Sequence, residues 1–177
     1  MTGIALFETR LGACGIAWGE RGVLGVQLPE ADADATRRRL SRRFPGATET
    51  QTPVEILLAI GRIVALLRGE RVDLTPVEVD MSAVSPFDRD VYRAAREIPA
   101  GATSTYGEIA RRLGRPDAAR DVGVALARNP FAIVVPCHRV VAANGKVGGF
   151  SAGSGVKTKL RLLAIEGGVG DAPLFQP

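Results

Sequence analysis

The residue pattern of the 177-residue chain changes near its middle, and this change limits the possible folds more than any other feature. Before residue 85, short alternating apolar runs are separated by glycine-containing turns, a pattern typical of strands. After Ser85, the chain reads as short helices joined by tight turns. A chain of this length holds one large domain or two small ones. We therefore predict an α+β protein with two small domains, residues 1–84 and 85–170, and a C-terminal tail over residues 171–177.

The part before residue 85 is predicted to be a strand meander with two helices. Acidic residues early and arginines late in one run favour a helix, because the helix macrodipole prefers that order. A strongly amphipathic run that begins at Pro53 indicates a second, longer helix. The predicted strands are residues 4–7, 15–18, 22–27 and 77–81, and the predicted helices are residues 31–43 and 53–68.

The part after residue 85 is predicted to be mostly helical and to contain a helix-turn-helix. A helix over residues 106–113, capped by Ser104 or Thr105, is followed after a short glycine-containing turn by a helix capped by Asp117. This spacing matches a helix-turn-helix and gives the domain a winged-helix-like character. The other predicted elements are helices over residues 88–97 and 156–165, short strands over residues 133–135 and 140–142, and a hairpin turn at residues 144–145.

The positive charge of the chain lies entirely in its second part. Residues 1–85 hold 10 Lys and Arg against 11 Asp and Glu, which gives −1, whereas residues 86–177 hold 13 against 8, which gives +5. Such asymmetry indicates that the second part meets an anionic partner, with nucleic acid as the leading candidate. A surplus of this size is also common on solvated surfaces.

The residues with the clearest chemical potential are the consecutive Cys137, His138 and Arg139. A free thiol is only slightly ionised at neutral pH, so a nucleophilic cysteine needs a nearby base or positive charge, and both are adjacent here. A base in turn needs a third group to orient it. The downstream candidates for that group are Glu166 and Asp171, of which Glu166, at a helix end, is the better choice.

The alternative interpretation is structural: Cys137 would be an inert buried thiol and His138 an ordinary histidine. That interpretation suits Cys14 better, since it lies in a strand pattern with no base near it in sequence. Two cysteines and one histidine cannot form a disulfide framework or complete a usual zinc site. With neither a signal-peptide pattern nor a membrane-spanning run, we expect a metal-free cytoplasmic protein.

Taken together, the motifs of the second part resemble those of the O6-alkylguanine-DNA alkyltransferases, also called methylated-DNA–protein-cysteine methyltransferases. The resemblance covers the whole C-terminal domain, whereas the first part is similar in layout only. The motifs in chain order are IPAG at 98–101, TYGEIA at 105–110, ARDVG at 119–123, NP at 129–130, PCHRV at 136–140, GGFS at 148–151, Lys159, and EG at 166–167.

The resemblance implies that this protein moves an alkyl group from guanine O6 onto its own cysteine. Cys137 would be the acceptor, and His138 would take its proton through a water while Glu166 orients the imidazole. Tyr106 would contact the guanine ring and hydrogen-bond at N3. Ser151 would bond O6.

Further roles follow from the same resemblance. Asn129 would brace the cysteine-bearing segment, and Lys159 would lie near the site. Arg120 would enter the base stack from the minor groove and fill the gap left by the extruded nucleotide. Phe150 would wall the pocket, and Arg139 is counted with the residues that contact substrate or DNA.

The implied partner is duplex DNA that contains O6-alkylguanine, bound by a monomer without cofactor, metal or membrane. Because no step regenerates the thiolate, each molecule should act once. Two positions depart from the pattern: Asp121 stands where many relatives have a small apolar residue, and Phe150 stands where a tyrosine is often found. The zinc site of some relatives cannot form with one histidine.

The sequence leaves three alternative functions open. The first is a binding-only relative that recognises alkylated bases without chemistry, although its cysteine would be replaced. The second is a hydrolytic or redox Cys-His enzyme, although no oxyanion-type glycine motif accompanies Cys137. The third is a helix-turn-helix transcription regulator, in which the Cys-His-Glu set would be coincidental.

Overall fold

A computed structural model of the chain describes residues 1–144, 146–151 and 155–167. Its first part is a four-stranded sheet with strand order β3-β2-β1-β4. The first three strands form the predicted antiparallel meander, and the fourth, which was not predicted, pairs parallel to β1. The strands are β1 (Gly3–Thr9), β2 (Gly12–Gly19), β3 (Gly22–Gln27) and β4 (Thr48–Glu49).

Two helices pack on this sheet, and their bounds follow from local signals. The helix α1 (Ala33–Arg43) begins where the Asp32 carboxylate accepts a hydrogen bond from the Ala35 N–H at 2.6 Å, and it ends with arginines, as predicted. The helix α2 (Val54–Leu67) follows Pro53, also as predicted. Its buried face includes Ile63, which packs in the same apolar core as Trp18 of β2.

The strand predicted over residues 77–81 is wrong. Only a single bridge joins this segment to β3, with the Val23 N–H donating to the Glu78 carbonyl at 2.9 Å. Further along the same free edge of β3, the Val26 N–H donates instead to the Pro130 carbonyl at 2.9 Å. The second part of the chain therefore occupies the edge of β3 along which a longer strand would have paired.

The second part is mostly helical, which confirms the α+β class. Ser85 caps its first helix through the Asp88 N–H, and Thr105 and Glu108 form a reciprocal capping box at the start of another. The elements are α3 (Pro86–Arg96), β5 (Ser104–Thr105), α4 (Tyr106–Arg112), α5 (Ala119–Ala127), a 3-10 turn (Cys137–Arg139), β6 (Val140–Val141) and α6 (Val156–Ile165).

The helices α4 and α5 pack against each other, but the link between them differs from the predicted short turn. It spans residues 113–118, and Ala118, whose N–H donates to the Arg115 carbonyl at 2.9 Å, precedes α5 without a side-chain cap. The predicted Asp117 cap is therefore wrong, because the turn at Arg115 places Ala118 at the helix start.

The strand predicted over residues 133–135 is also wrong. Ile133 has a φ of 73°, in the left-handed region, which an extended strand cannot contain. The segment instead forms a compact turn in which the Val135 N–H donates to the Phe131 carbonyl at 2.8 Å. This turn is what carries the chain into the cysteine-bearing segment. The hairpin predicted at residues 144–145 includes a residue outside the described ranges.

One cluster of buried apolar residues runs from the sheet into the helices of the second part, from Cys14 to Leu162. The predicted placement of Cys14 in the core agrees with its complete burial. Within the described ranges, no helix is long and apolar enough to cross a membrane.

Candidate active site

The centre of the candidate site is the Cys137 thiol, at the start of the 3-10 turn between α5 and α6. Its side chain is buried, with 7% of the residue exposed, and it forms part of the wall of a cavity. Pro136 precedes the turn, and the Cys137 N–H donates to the Val135 carbonyl at 2.8 Å. Consecutive side chains of an extended chain point to opposite faces, so the Cys and His side chains can act together only if the chain turns between them. The 3-10 turn provides this change of direction.

Asn129, which the resemblance implies would brace the cysteine-bearing segment, forms three hydrogen bonds within it. Its Nδ2 donates to the Val135 carbonyl at 2.9 Å and to Cys137 Sγ at 3.4 Å, while its Oδ1 accepts from the Phe131 N–H at 2.9 Å. One amide therefore ties both ends of the turn together and places a donor on the sulfur.

Glu166 forms a buried cluster with His138 and Arg139, directly behind the thiol-bearing turn. Glu166 Oε1 lies 2.8 Å from His138 Nε2, and the Arg139 guanidinium donates to both carboxylate oxygens at 2.9 Å. Burial alone would raise the pKa of Glu166, but the hydrogen bonds from His138 and Arg139 and the positive charge of Arg139 outweigh burial and lower that pKa to about 2. The carboxylate is therefore ionised at neutral pH.

An ionised carboxylate only accepts hydrogen bonds, so His138 Nε2 must carry the proton of this pair. Burial lowers the pKa of His138, against the opposing effect of Glu166, so the imidazole is neutral at pH 7. Its Nδ1 is then an unprotonated nitrogen, and it is buried without a hydrogen-bond partner among the described residues. A neutral imidazole in this tautomer is equipped to accept a proton.

Two opposing effects act on the Cys137 thiol. Burial raises its pKa, whereas the Asn129 amide, the positive charge of Lys159 and the backbone N–H groups of Cys137 and His138 lower it. These donors stabilise the charged thiolate more strongly than the neutral thiol. The arrangement therefore favours a thiol that becomes nucleophilic when a base removes its proton.

Lys159 is completely buried, next to Tyr106 and Gly149 of the cavity wall. Its Nζ donates to the Val140 carbonyl at 2.6 Å, the Gly149 carbonyl at 3.3 Å and the Tyr106 hydroxyl at 3.4 Å. Burial lowers the pKa of Lys159 to about 8, so the ammonium form still dominates at neutral pH. One lysine thus joins β6, the 148–151 segment and the tyrosine of α4.

The cavity beside the thiol has a volume of about 530 Å³. A residue other than glycine at position 148 would be strained, because φ there is +75° and an added Cβ would lie 2.8 Å from the Tyr106 hydroxyl. Close approach of this loop to Tyr106 therefore requires Gly148. The predicted pocket residues that line the cavity with Cys137 are Tyr106, Arg120, Phe150 and Ser151.

Two of these residues occupy the rim. Ser151 Oγ donates to the Ala127 carbonyl at 2.7 Å, which ties the loop to the end of α5. Arg120 is exposed on the first turn of α5, next to the exposed Asp121. The charge at the rim is therefore mixed, as the sequence indicated.

The prediction for Arg139 as a substrate or DNA contact needs correction. The residue is 5% exposed, and its guanidinium is bonded to Glu166 and, at 2.6 Å, to the Ile98 carbonyl. Its donors face the protein interior because the buried carboxylate needs a cationic partner. Arg139 thus holds Glu166 instead of reaching the cavity.

Sequence reasoning missed the contacts that reach the site from the first part of the chain. Val26 and Arg43 both donate to the Pro130 carbonyl, beside Asn129. A contact between residues 87 positions apart leaves no local pattern to read. Among the described residues, no three His, Cys, Asp or Glu side chains come together as a metal site.

Comparison with known proteins identifies the class. Residues 86–168 match the family model described as 6-O-methylguanine DNA methyltransferase, DNA binding domain. A methylated-DNA–protein-cysteine methyltransferase of Mycolicibacterium paratuberculosis is 45% identical over 117 residues, which cover 66% of this chain and 68% of that protein. The chain belongs to the methylated-DNA–protein-cysteine methyltransferase family.

Other relatives extend the similarity over nearly the whole chain. The bifunctional transcriptional activator/DNA repair enzyme Ada of Escherichia coli is 34% identical over 163 residues, 92% of this chain and 44% of Ada. The crystal structure of Mycobacterium tuberculosis O6-methylguanine methyltransferase has 30% identity and a TM-score of 0.76, and the match covers 99% of this chain and 97% of that one. A structure of the M. tuberculosis protein in complex with DNA matches with a TM-score of 0.73 and 30% identity, over 92% of this chain and 91% of that one.

The buried carboxylate makes a testable contribution to stability. The pKa of Glu166 is about 2 in the folded protein against 4.5 for the ordinary side chain, so its stabilisation is present above pH 4.5 and is lost as pH falls toward 2. Between about pH 5 and pH 3, linkage gives a loss of about 2 kcal/mol in the free energy of unfolding from this group alone. Glu166→Gln should remove that component, as measured by urea unfolding across this range.

The control is Glu97→Gln, which removes an exposed carboxylate and should keep the wild-type pH dependence. If Glu166→Gln and the wild type lose stability with the same slope, the carboxylate is not held ionised in the folded protein.

Proposed function

We propose that this chain repairs DNA by transferring an alkyl group from guanine O6 to Cys137 Sγ, once per molecule. The observation that carries the proposal is a single buried thiol in a cavity wall, with the Asn129 amide 3.4 Å from its sulfur. Lys159 supplies positive charge on one side. The cluster of His138 and Glu166 lies behind the same turn. These are the groups that a thiolate nucleophile requires.

The proposed proton path begins at the thiol and ends on His138. Since Glu166 fixes the proton of His138 on Nε2, Nδ1 is the nitrogen that can accept the Cys137 proton, through a bridging water. Glu166 then stabilises the imidazolium that forms, and Arg139 keeps the carboxylate in place. Glu166 and Arg139 are positioning residues in this scheme, whereas Cys137 and His138 take part directly.

The cavity is proposed to hold the target base after it leaves the helix. An extruded base is read by hydrogen bonds to its edge and by packing against side chains. Tyr106 and Phe150 wall the cavity, and Ser151 lies at its rim. Burial raises the pKa of Tyr106, so its hydroxyl stays protonated and can donate to guanine N3. Ser151 would leave the Ala127 carbonyl to bond O6.

The chemical step is a displacement at the alkyl carbon. The sulfur–carbon bond forms as the carbon–O6 bond breaks, and the electron pair of that bond returns to the guanine. The proton released by the thiol is balanced by the proton that the restored guanine gains. The product is a thioether, which no residue of the site can reverse, so the protein would be consumed and no cofactor would be needed.

DNA binding is proposed to use the second part of the chain, residues 85–170, with residues 1–84 as a separate domain and residues 171–177 as a tail. Support comes from the charge of +5 on residues 86–177, from Arg120 at the cavity rim and from the DNA complex of the M. tuberculosis relative. We propose that α4 and α5 act as a helix-turn-helix on the minor groove, with Arg120 filling the place of the extruded nucleotide. The protein would act as a monomer in the cytoplasm, where its two free thiols stay reduced.

The acceptor prediction is tested by mass spectrometry. After incubation with duplex DNA that contains O6-methylguanine, the peptide with Cys137 should gain one methyl group in place of its thiol hydrogen, while Cys14, which is buried in the core, stays unmodified. Cys137→Ser should bind the same DNA and show no mass change, because the hydroxyl is a far weaker nucleophile.

If the wild-type protein binds the lesion and its Cys137 peptide keeps its original mass, the binding-only alternative replaces this proposal.

The role of Arg120 is tested by comparing two substrates. Extruding a nucleotide costs a few kcal/mol, which an inserted side chain offsets, so Arg120→Ala should slow repair of duplex DNA by roughly tenfold or more. Transfer from the free base O6-benzylguanine needs no extrusion and should keep its wild-type rate. Both rates can be measured as single-turnover alkylation of Cys137.

The matched control is Arg93→Ala, which removes one exposed positive charge from α3. Equal losses on both substrates for Arg120→Ala, or an equal loss on duplex DNA for Arg93→Ala, would contradict a role in extrusion.

A further inference from the structure

One carbonyl group beside the active-site segment accepts two hydrogen bonds from the first part of the chain. The Pro130 carbonyl accepts from the Val26 N–H of β3 at 2.9 Å and from Arg43 Nη2, at the end of α1, at 3.2 Å. Pro130 directly follows Asn129, the residue whose amide reaches the Cys137 sulfur. Two donors from the first part thus fix the peptide next to the residue that braces the thiol.

Arg43 is itself firmly placed. Its Nη1 donates to Gln27 Oε1 at 2.9 Å and to the Val26 carbonyl at 3.3 Å, and its guanidinium lies 5.5 Å from the centre of the Phe44 ring. Gln27 is 4% exposed and in turn donates to the Leu28 carbonyl. Arg43 is an exposed residue, but its guanidinium is bonded to Gln27 and Val26 as well as to Pro130.

The close approach of the two parts depends on a glycine of β3. An added Cβ at Gly25 would lie 2.6 Å from Phe44 Cζ and 3.1 Å from the Pro130 carbonyl oxygen. Gly25 thus gives the room in which Phe44 and Pro130 meet the strand. The junction is tightly packed as well as hydrogen-bonded.

The turn transmits this placement to the sulfur over a short path. Asn129 Oδ1 accepts from the Phe131 N–H at 2.9 Å, so the two residues that flank Pro130 are bonded to each other. The same Asn129 donates from Nδ2 to Cys137 Sγ at 3.4 Å. A rotation of the Pro130 peptide would therefore move the donor that favours the thiolate.

We propose that Arg43 is a positioning residue for alkyl transfer, which holds the Pro130 carbonyl so that Asn129 keeps its hydrogen bond to the Cys137 sulfur. The inference rests on the proposed function and gives the first part of the chain a role in it: this part sets how readily the acceptor thiol ionises. The hydrogen bond from Arg43 acts on one peptide group near the thiol, so its loss should change the reactivity of the thiol and not only the stability of the fold.

The test compares the pH dependence of thiol reactivity in Arg43→Met and the wild type. Methionine keeps an apolar stem of similar length and removes the guanidinium donors. The full-length proteins react with O6-benzylguanine, which needs no DNA contact, and separately with iodoacetamide, which reports thiolate formation at Cys137 without any guanine.

The loss of one hydrogen bond corresponds to a factor of about 3 to 10. Arg43→Met should therefore react more slowly with both reagents at pH 7 by that factor. The rise of rate with pH should shift to higher pH, and the difference should vanish where the thiol is fully ionised. Arg43→Lys, which retains one donor, should fall between the two.

Two further variants separate positioning from stability. Arg62→Met removes a guanidinium of α2 that donates to the Asp73 carbonyl at 3.0 Å, and it should leave the pH profile unchanged. In an Asn129→Ala background, Arg43→Met should cause no further loss, because the residue through which it acts is gone. Thermal unfolding identifies any variant whose fold is lost.

The outcomes distinguish this inference from the proposed function. A wild-type pH profile in Arg43→Met, an equal loss at every pH, or additive losses with Asn129→Ala would overturn the positioning role. A wild-type protein that reacts with iodoacetamide but not with O6-benzylguanine would contradict the proposed transfer, while its iodoacetamide profile would still decide the role of Arg43.

Discussion

The rest of the site depends on the hydrogen bonds of one buried carboxylate, that of Glu166. It joins the end of α6 to the thiol-bearing turn through His138 and Arg139, all within hydrogen-bond distance. A buried carboxylate is costly unless it is paired and fully bonded, and here a guanidinium and an imidazole N–H supply the partners. Because this cluster keeps Glu166 ionised, it decides which nitrogen of His138 carries a proton, and so which nitrogen can receive one.

The acceptor thiol is poised by a balance of burial against donors. Burial in the cavity wall disfavours the thiolate, whereas the Asn129 amide and the Lys159 ammonium favour it. The donors come from separate elements, α6 for Lys159 and the turn after α5 for Asn129, and β3 and α1 secure that turn from the first part of the chain. The chemistry of one sulfur therefore draws on both parts of the fold.

The parts of the fold that local patterns encode were predictable from the sequence. The meander, the helix bounds of α6 and the Thr105 cap all rest on signals within a few residues. The ordered motifs of the second part supplied the candidate site residues, of which Tyr106, Arg120, Cys137, Phe150 and Ser151 line one cavity. Features decided by distant partners were not predictable. Ile133 adopts a left-handed backbone where its apolar neighbours suggested a strand, and Arg139 turns inward because Glu166 is buried beside it.

Whether Cys137 keeps the group it removes is tested by counting the repaired bases per molecule of protein. The purified chain is incubated with increasing excess of O6-methylguanine duplex, and restored guanine and methylated protein are both measured at completion. Each chain should restore one guanine, however great the excess, and methylated protein should rise in step with restored guanine. Continued repair beyond one guanine per chain, or restored guanine without methylated protein, would contradict it.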